Sequence, residues 1–373
     1  MKERFSLKDH LFNKDTVTYL ADIFVAADAD FNKKKFVSEV MEKFPELELK
    51  ERIIWITEVL TRYLPSDPSA AMKLIVAALP PPLDPTKTDD DFGSFIFAPL
   101  GEYVVKSGCT KKYLKQSLAT LKQLTMRFSM EDAMRAFLNN FSQETLAEYD
   151  KWVSDTNYHV RRLVSESTRP SLPWSKKLSL DYKVPLRYLD ILHTDPTRYV
   201  TRSVANHLND ISKKDPVLVV KTLTRWHTQN THNPLELDWL TRHSLRTLVK
   251  KGDTDALMLL GYSAHTAPVV TKLVVPSKIA KGERLIFSFD VESSVQQNLL
   301  IDYIIDFVKV NGATKSKVFK IKKIVASPGI THAIEKTHHL KADATTFKLN
   351  SGLHTLTIQI NGQKLATAQF VLI

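Results

Sequence analysis

Two stretches of this chain, forty residues apart, are variants of one another, and a repeat of that length narrows the fold more than any other feature. The first is WVSDTNYHVRRLVSESTRPSLPW, from Trp152 to Trp174, and the second is DPTRYVTRSVANHLNDISKKDP, from Asp195 to Pro216. In each, an Asp stands five residues before a Val (Asp155 and Val160, Asp195 and Val200), and an Arg follows the Val by two places, at Arg162 and Arg202. A forty-residue period with helical spacing indicates stacked helix pairs of the HEAT type, in which each unit buries its apolar stripe only against its neighbours.

The second copy shows how such a unit is built. Asp195-Pro196 predicts a helix start, because Asp caps free backbone N–H groups and proline lacks an N–H that the first turn could not use. Val200, Val204, Leu208 and Ile211 recur at helical spacing as a buried stripe, while Arg202, Asn206 and Asp210 stand four apart on another face. Asp210 falls in the last turn, where a carboxylate is disfavoured by roughly 0.3–1 kcal/mol unless a cation answers it. Lys213 and Lys214 are the expected cations. In the first copy, Arg161, Arg162, Glu166 and Arg169 make a comparable charged surface that leads into the stiff segment Arg169-Pro170-Ser171-Leu172-Pro173-Trp174.

These residues resemble the C-type bacterial alkylpurine DNA glycosylases, AlkC. The resemblance rests on HVRRLVSESTRPSLPW, on YVTRSVANHLNDISKKDP and, more loosely, on FSMEDAMRAFL from Phe128 to Leu138, and it spans most of the chain before about Thr266. The third motif departs from the family pattern S-x-E-F-A-I-R-P-F: Asp132, Met134 and Ala136 replace Phe, Ile and Pro, while Glu131 and Arg135 are kept. The resemblance implies a HEAT-like-repeat α-solenoid that excises N3-methylated bases, especially 3-methyladenine and 3-methylcytosine, from double-stranded DNA and leaves an abasic site. It further implies monofunctional hydrolysis, with the lesion left stacked rather than flipped. Glu131, Asp210 and Trp174 are the implied catalytic residues. Arg135, Arg161, Arg162, Arg169, Arg202, Asn206, Lys213 and Lys214 are expected to contact DNA.

Without the family, blander accounts remain open. Glu131 in a first turn already interacts favourably with the helix dipole. Trp174, like Trp152, Trp226 and Trp239, reads as a packing residue at a repeat junction, and the arginines read as solvated faces or phosphate contacts.

Bulk properties agree with a folded chain. The 373 residues are 43% hydrophobic and 25% charged, enough for two domains with real cores. The net charge of +11 is uneven: 17 basic against 18 acidic residues over 1–120, 21 against 16 over 121–267, and 14 against 7 over 268–373. A basic excess of this kind is compatible with a polyanionic partner through counterion release. The start lacks an apolar signal core and no apolar run is long enough to span a membrane, so a cytoplasmic location is expected; the expected state is a monomer. The single cysteine, Cys109, excludes an internal disulfide and a Cys-rich zinc site. No metal or cofactor is expected: Asp89 to Asp91 read as a solvated loop, His227, His232 and His243 lack ligand spacing, and Gly-rich phosphate loops and a serine elbow are absent.

Helices are predicted over residues 7–29, 33–44, 48–64, 67–79, 96–106 and 111–127, with a Pro- and Asp-rich loop at 80–94. Ser129 and Asp132 have the spacing of a capping box. From about Ala264–Pro268 the period changes to alternation, in TKLVVP, ERLIFSFDVE, NLLIDYIIDFVKV, SKVFKIKKIV, TTFKL, LHTLTIQING and KLATAQFVLI. Asn311-Gly312 and Asn361-Gly362 are hairpin signals, so residues 267–373 are expected to form an immunoglobulin-like β-sandwich after a helical domain of residues 1–266. Some AlkC relatives carry such a domain. Lys320, Lys322 and Lys323, close to Lys315 and Lys317, could grip phosphates or keep a sheet edge soluble. The alternatives to a glycosylase are a non-catalytic repeat scaffold and a nucleic-acid-binding protein without chemistry.

Overall fold

The computed structural model describes residues 5–87, 89, 92–262, 267–341 and 348–373. Its helices are α1 (Leu7–Leu11), α2 (Lys14–Ala27), α3 (Lys33–Lys43), α4 (Leu49–Tyr63), α5 (Pro68–Ala78), α6 (Ala98–Gly108), α7 (Leu114–Thr125), α8 (Glu131–Asn140), α9 (Ser142–Trp152), α10 (Tyr158–Ser167), α11 (Leu186–Leu192), α12 (Arg198–Ile211), α13 (Pro216–Gln229), α14 (Pro234–Lys251) and α15 (Thr254–Leu259). The strands follow as β1 (Val269–Val274), β2 (Lys278–Ile279), β3 (Arg284–Glu292), β4 (Gln297–Val308), β5 (Thr314–Ala326), β6 (His332–His339), β7 (Gly352–Ile360) and β8 (Gln363–Leu372). The chain is a helical-repeat region followed by an immunoglobulin-like sandwich. By backbone proximity it falls into two compact units, residues 1–211 with 230–244, and residues 212–229 with 245–373. The expected switch at 264–268 lies largely outside the described residues.

In the first unit the sequence echo becomes packing: α10 and α12, the two copies, lie against each other, and α8 packs against α10. The repeated Asp has one job in both copies. Asp155 accepts from Asn157 N and pairs with Lys122 of α7, while Asp195 accepts from Thr197 N and pairs with Arg161 of α10. Asp195 therefore closes a short turn and staples its repeat to the preceding one. Helix α12 starts at Arg198, two residues beyond Pro196, so the expected proline start gives way to this turn. The predicted 7–29 helix is broken at Asn13, whose side chain accepts from Asp15 N and Thr16 N in a capping box with Thr16.

The second unit contains a three-stranded sheet, β1-β3-β6, and a five-stranded sheet, β2-β8-β7-β4-β5, antiparallel except for β2 beside β8. Alternate residues fill the core between them: Leu285, Phe287, Phe289 and Val291 from β3, and Leu299, Ile301, Tyr303, Ile305 and Phe307 from β4. Asn361 and Gly362 both have positive φ, 47° and 81°, as the two-residue hairpin between β7 and β8 requires. A Cβ on Gly362 would also lie 2.6 Å from the Gly252 carbonyl oxygen, so only glycine lets this turn approach the end of α14. The stretch TTFKL does not behave as expected: 345–347 lie outside the described residues, and Lys348 and Leu349 are not in a strand. Its place in the sequence of strands goes to β6, whose pattern HAIEKTHH buries only Ile334 and so carries little alternation.

Candidate active site

Helix α8 begins at Glu131, placing that carboxylate in a first turn. The N-cap is Met130, without a side-chain cap, and the capping box suggested by Ser129 and Asp132 does not form. Ser129 is used differently: its hydroxyl accepts from Arg162 Nη1 of α10. Along α10, Arg162 and Glu166 stand one turn apart, and Arg169 follows just past the helix end.

These side chains form one chain of alternating charge. Arg162 Nη1 lies 3.5 Å from Glu131 Oε2, and Nη2 lies 3.4 Å from Glu166 Oε1. Arg169 Nη1 donates to Glu166 Oε1 at 2.6 Å, and its Nε and Nη2 donate to Asp210 Oδ2 at 3.0 and 2.9 Å. Ser203 Oγ donates to Glu166 Oε2 at 2.7 Å, and the Arg162 guanidinium sits 4.8 Å over the Tyr199 ring. The sequence thus binds Glu131, at the head of α8, to Asp210, near the end of α12, through three intervening side chains. Three carboxylates face two guanidiniums along this chain.

For the three central groups, Arg162, Glu166 and Arg169, burial opposes the charge and pairing wins. Burial would raise the Glu166 pKa, but Arg162 and Arg169, with the Ser203 hydroxyl, hold it below the usual carboxylate range. Burial would likewise weaken the arginines, yet Glu166 first, together with Glu131 at Arg162 and Asp210 at Arg169, lifts both above their ordinary values. His207, fully buried with Nδ1 3.0 Å from the Ser165 carbonyl oxygen, is pushed down to about 3 by burial and by Arg169. It is a neutral ring at physiological pH and supplies no proton.

Several expected DNA contacts are already engaged. Arg135 is 1% exposed and donates to the carbonyl oxygens of Lys176, Ser167 and Arg169 at 2.7, 3.1 and 2.8 Å, which removes it from phosphate binding. Arg162 and Arg169 are buried in the charge chain rather than solvated. Arg161 is bidentate to Asp195, and Arg202 pairs with Asp89, a residue expected to be merely solvated; Asp90 and Asp91 lie outside the described residues. Asn206 Oδ1 lies 2.9 Å from His243 Nε2. Asp210 is 2% exposed and answered by Arg169, a cation from the preceding repeat that local sequence did not suggest. Lys213, Lys214, Lys320, Lys322 and Lys323 are exposed. Trp152 and Trp226 are buried, as packing residues should be, but Trp174 is 77% exposed with a left-handed φ of 65°. Glu166, which reads in the sequence as part of a charged surface, is central to the chain; its i, i+4 and i, i+3 spacing to Arg162 and Arg169 is the signal for that place.

Among the described residues, no cluster of three or more His, Cys, Asp or Glu side chains is placed to hold a metal, and no helix is long and apolar enough to cross a membrane. Residues 269–373 match the family model described as "Uncharacterised protein YhaZ, C-terminal Ig-like domain". The chain is 36% identical over 358 residues to the uncharacterized protein YhaZ of Bacillus subtilis, covering 95% of this chain and 96% of that one. The structure of Pseudomonas fluorescens alkylpurine DNA glycosylase AlkC, bound to DNA containing an abasic site analog, matches with a TM-score of 0.87 and 35% identity over 99% of this chain and all of that chain. This chain belongs to the AlkC family. Within an AlkC-family chain, the charge chain lies in the repeats that carry the family motifs, and the β-sandwich is the part matched by the YhaZ C-terminal model.

Proposed function

We propose that this AlkC-family chain is a monofunctional DNA glycosylase acting on N3-alkylated bases such as 3-methyladenine and 3-methylcytosine in double-stranded DNA. The observation that carries the reading is the chain of paired charges from the partly exposed Glu131 to the buried Asp210, in a protein matching AlkC over its full length. A cationic methylated base leaves as a neutral molecule, so the bond between it and C1′ breaks with little acid assistance. The demand falls on the sugar, whose growing oxocarbenium charge is stabilised by fixed carboxylates, and on a water that adds to C1′ and loses its proton. Glu131, the more exposed carboxylate, is assigned to hold that water; Asp210, fixed by Arg169, adds negative charge from a position that needs no reorganisation. Trp174 presents its face to the lesion or deoxyribose, a cation–π contact worth roughly 0.5–2 kcal/mol. An exposed aromatic suits a lesion that stays stacked.

Glu131→Gln or Asp210→Asn is expected to slow single-turnover release of 3-methyladenine by roughly 100- to 1,000-fold with little change in DNA affinity, the usual cost of removing a charge aimed at a transition state. Near-wild-type rates in both folded variants remove these residues from the mechanism. No base release by the unaltered chain from DNA carrying defined lesions, with binding retained, favours a binding protein without chemistry. The exposed lysines Lys320, Lys322 and Lys323 are assigned to the phosphate backbone. Replacing all three with Ala should reduce the slope of log affinity against log salt by about 2 to 3; an unchanged slope returns them to the role of edge protection.

A further inference from the structure

Trp174 is mounted in an unusual way for a side chain that must meet DNA. It lies in the segment between α10 and α11, outside any helix or strand, with 77% of its surface exposed and its backbone left-handed, a conformation that is unfavourable for a non-glycine residue and persists only where surrounding structure enforces it. The enforcing groups come from elsewhere in the chain. Arg135 on α8 spends its guanidinium on three carbonyl oxygens that bracket Trp174, those of Ser167 and Arg169 before it and Lys176 after it. One turn further along α8, Asn139 Nδ2 donates to the Lys177 carbonyl at 3.0 Å, while its Oδ1 accepts from Ser179 N at 2.9 Å and Ser179 Oγ at 3.0 Å. From α4, Lys50 Nζ donates to the carbonyl oxygen of Trp174 itself.

We propose that Arg135 and Asn139, aided by Lys50, are positioning residues that fix the height and direction of Trp174. The inference rests on the reading of Trp174 as a lesion contact, and it gives Arg135 a purpose other than phosphate binding. Two features separate a bracket from ordinary packing. Arg135 is a fully buried cation whose hydrogen bonds go to backbone carbonyls of one segment, on both sides of the strained residue. Asn139 is exposed and fills no core, yet makes three hydrogen bonds to the same segment. A rigid fork such as guanidinium can hold several diverging carbonyls at once, whereas the point charge of lysine cannot.

The test is a double-mutant cycle on full-length chain in single-turnover 3-methyladenine excision, with DNA affinity measured in parallel. Asn139→Ala should lower the excision rate by about 10-fold and Arg135→Lys by up to about 100-fold, the scale set by a misplacement of about 1 Å at a reacting centre. In a Trp174→Ala background, Asn139→Ala should have less than about 2-fold further effect, since a residue acting through Trp174 has nothing left to act on. Multiplicative losses in the double variant overturn the proposal. The second readout is the fluorine resonance of 5-fluorotryptophan at position 174, assigned by its loss in Trp174→Ala, which should shift or broaden in Asn139→Ala and Arg135→Lys. If Trp174→Ala excises normally, the lesion-contact reading has failed while the resonance still reports on the bracket. An unmoved resonance in both variants shows that the bracket is not what holds Trp174.

Discussion

Two buried carboxylates, one in each unit, meet opposite fates. Glu166 in the helical unit is 5% exposed, and Asp302 on β4 of the sandwich is 3% exposed. Burial works against both, yet the Glu166 pKa is lowered and that of Asp302 is raised to about 6. The difference is contact. Glu166 receives Arg169 at 2.6 Å, Arg162 at 3.4 Å and the Ser203 hydroxyl at 2.7 Å. Asp302 has Lys320, Lys250 and Lys323 near enough to favour its charge, but its Oδ1 accepts no hydrogen bond among the described residues, and burial remains the larger influence. A cation in the neighbourhood does not replace a donor in contact.

The strongest way to break this comparison is to remove the contacted charge. Glu166→Gln leaves Arg162 and Arg169 buried with half their partners, and breaking a buried ion pair from one side typically costs about 3–5 kcal/mol. Urea denaturation of the full chain at pH 7 should register that loss. A cost near zero would mean that the chain relaxes without its central acid.

Asp302→Asn should move stability in the other direction. A folded pKa of about 6 against an ordinary value of 3.8 means that the folded chain prefers the neutral acid, so this group's contribution is complete below the unfolded value and is lost as pH rises through about 6. The amide removes that loss, and at pH 7 the variant should be more stable by on the order of 2–3 kcal/mol. Glu166, with its lowered pKa, carries the reverse dependence: its contribution is present above the ordinary Glu value and disappears as pH falls through the lower folded one. Stability of the wild type and Asp302→Asn, followed from pH 4 to 7, should therefore diverge as pH rises. Parallel curves would place Asp302 in contact with a cation after all.

The smallest effect is expected where pairing is partly exposed. Arg202 stands in the second copy where Arg162 stands in the first, but its partner is the loop residue Asp89, and both side chains remain partly accessible. Arg202→Ala should cost no more than about 1 kcal/mol, as exposed ion pairs do. A cost approaching that of Glu166→Gln would show that the two repeats share one electrostatic design.

The same contrast explains which parts of the protein were legible in its sequence. Helix period, most of the strand alternation and the Asn361-Gly362 turn are local properties, encoded by residues two to four apart or by one dipeptide, and they reappear as helices, strands and a hairpin, while the forty-residue echo reappears as the packing of α10 against α12. Strand β6 escaped because only Ile334 on it is buried, so there was almost no alternation to read. Arg135, Arg162 and Arg202 look alike as arginines on helical stripes. Only the folded chain separates one spent on carbonyls 32 to 41 residues away, one sunk into a charge chain, and one on a loop aspartate. Trp174 likewise has the sequence setting of a packing residue and the surface of a contact residue. Local pattern determined the backbone because propensity and burial act over a turn or a pleat; tertiary packing decided the partner of each charge, because desolvation and pairing depend on which distant groups arrive within about 3 Å.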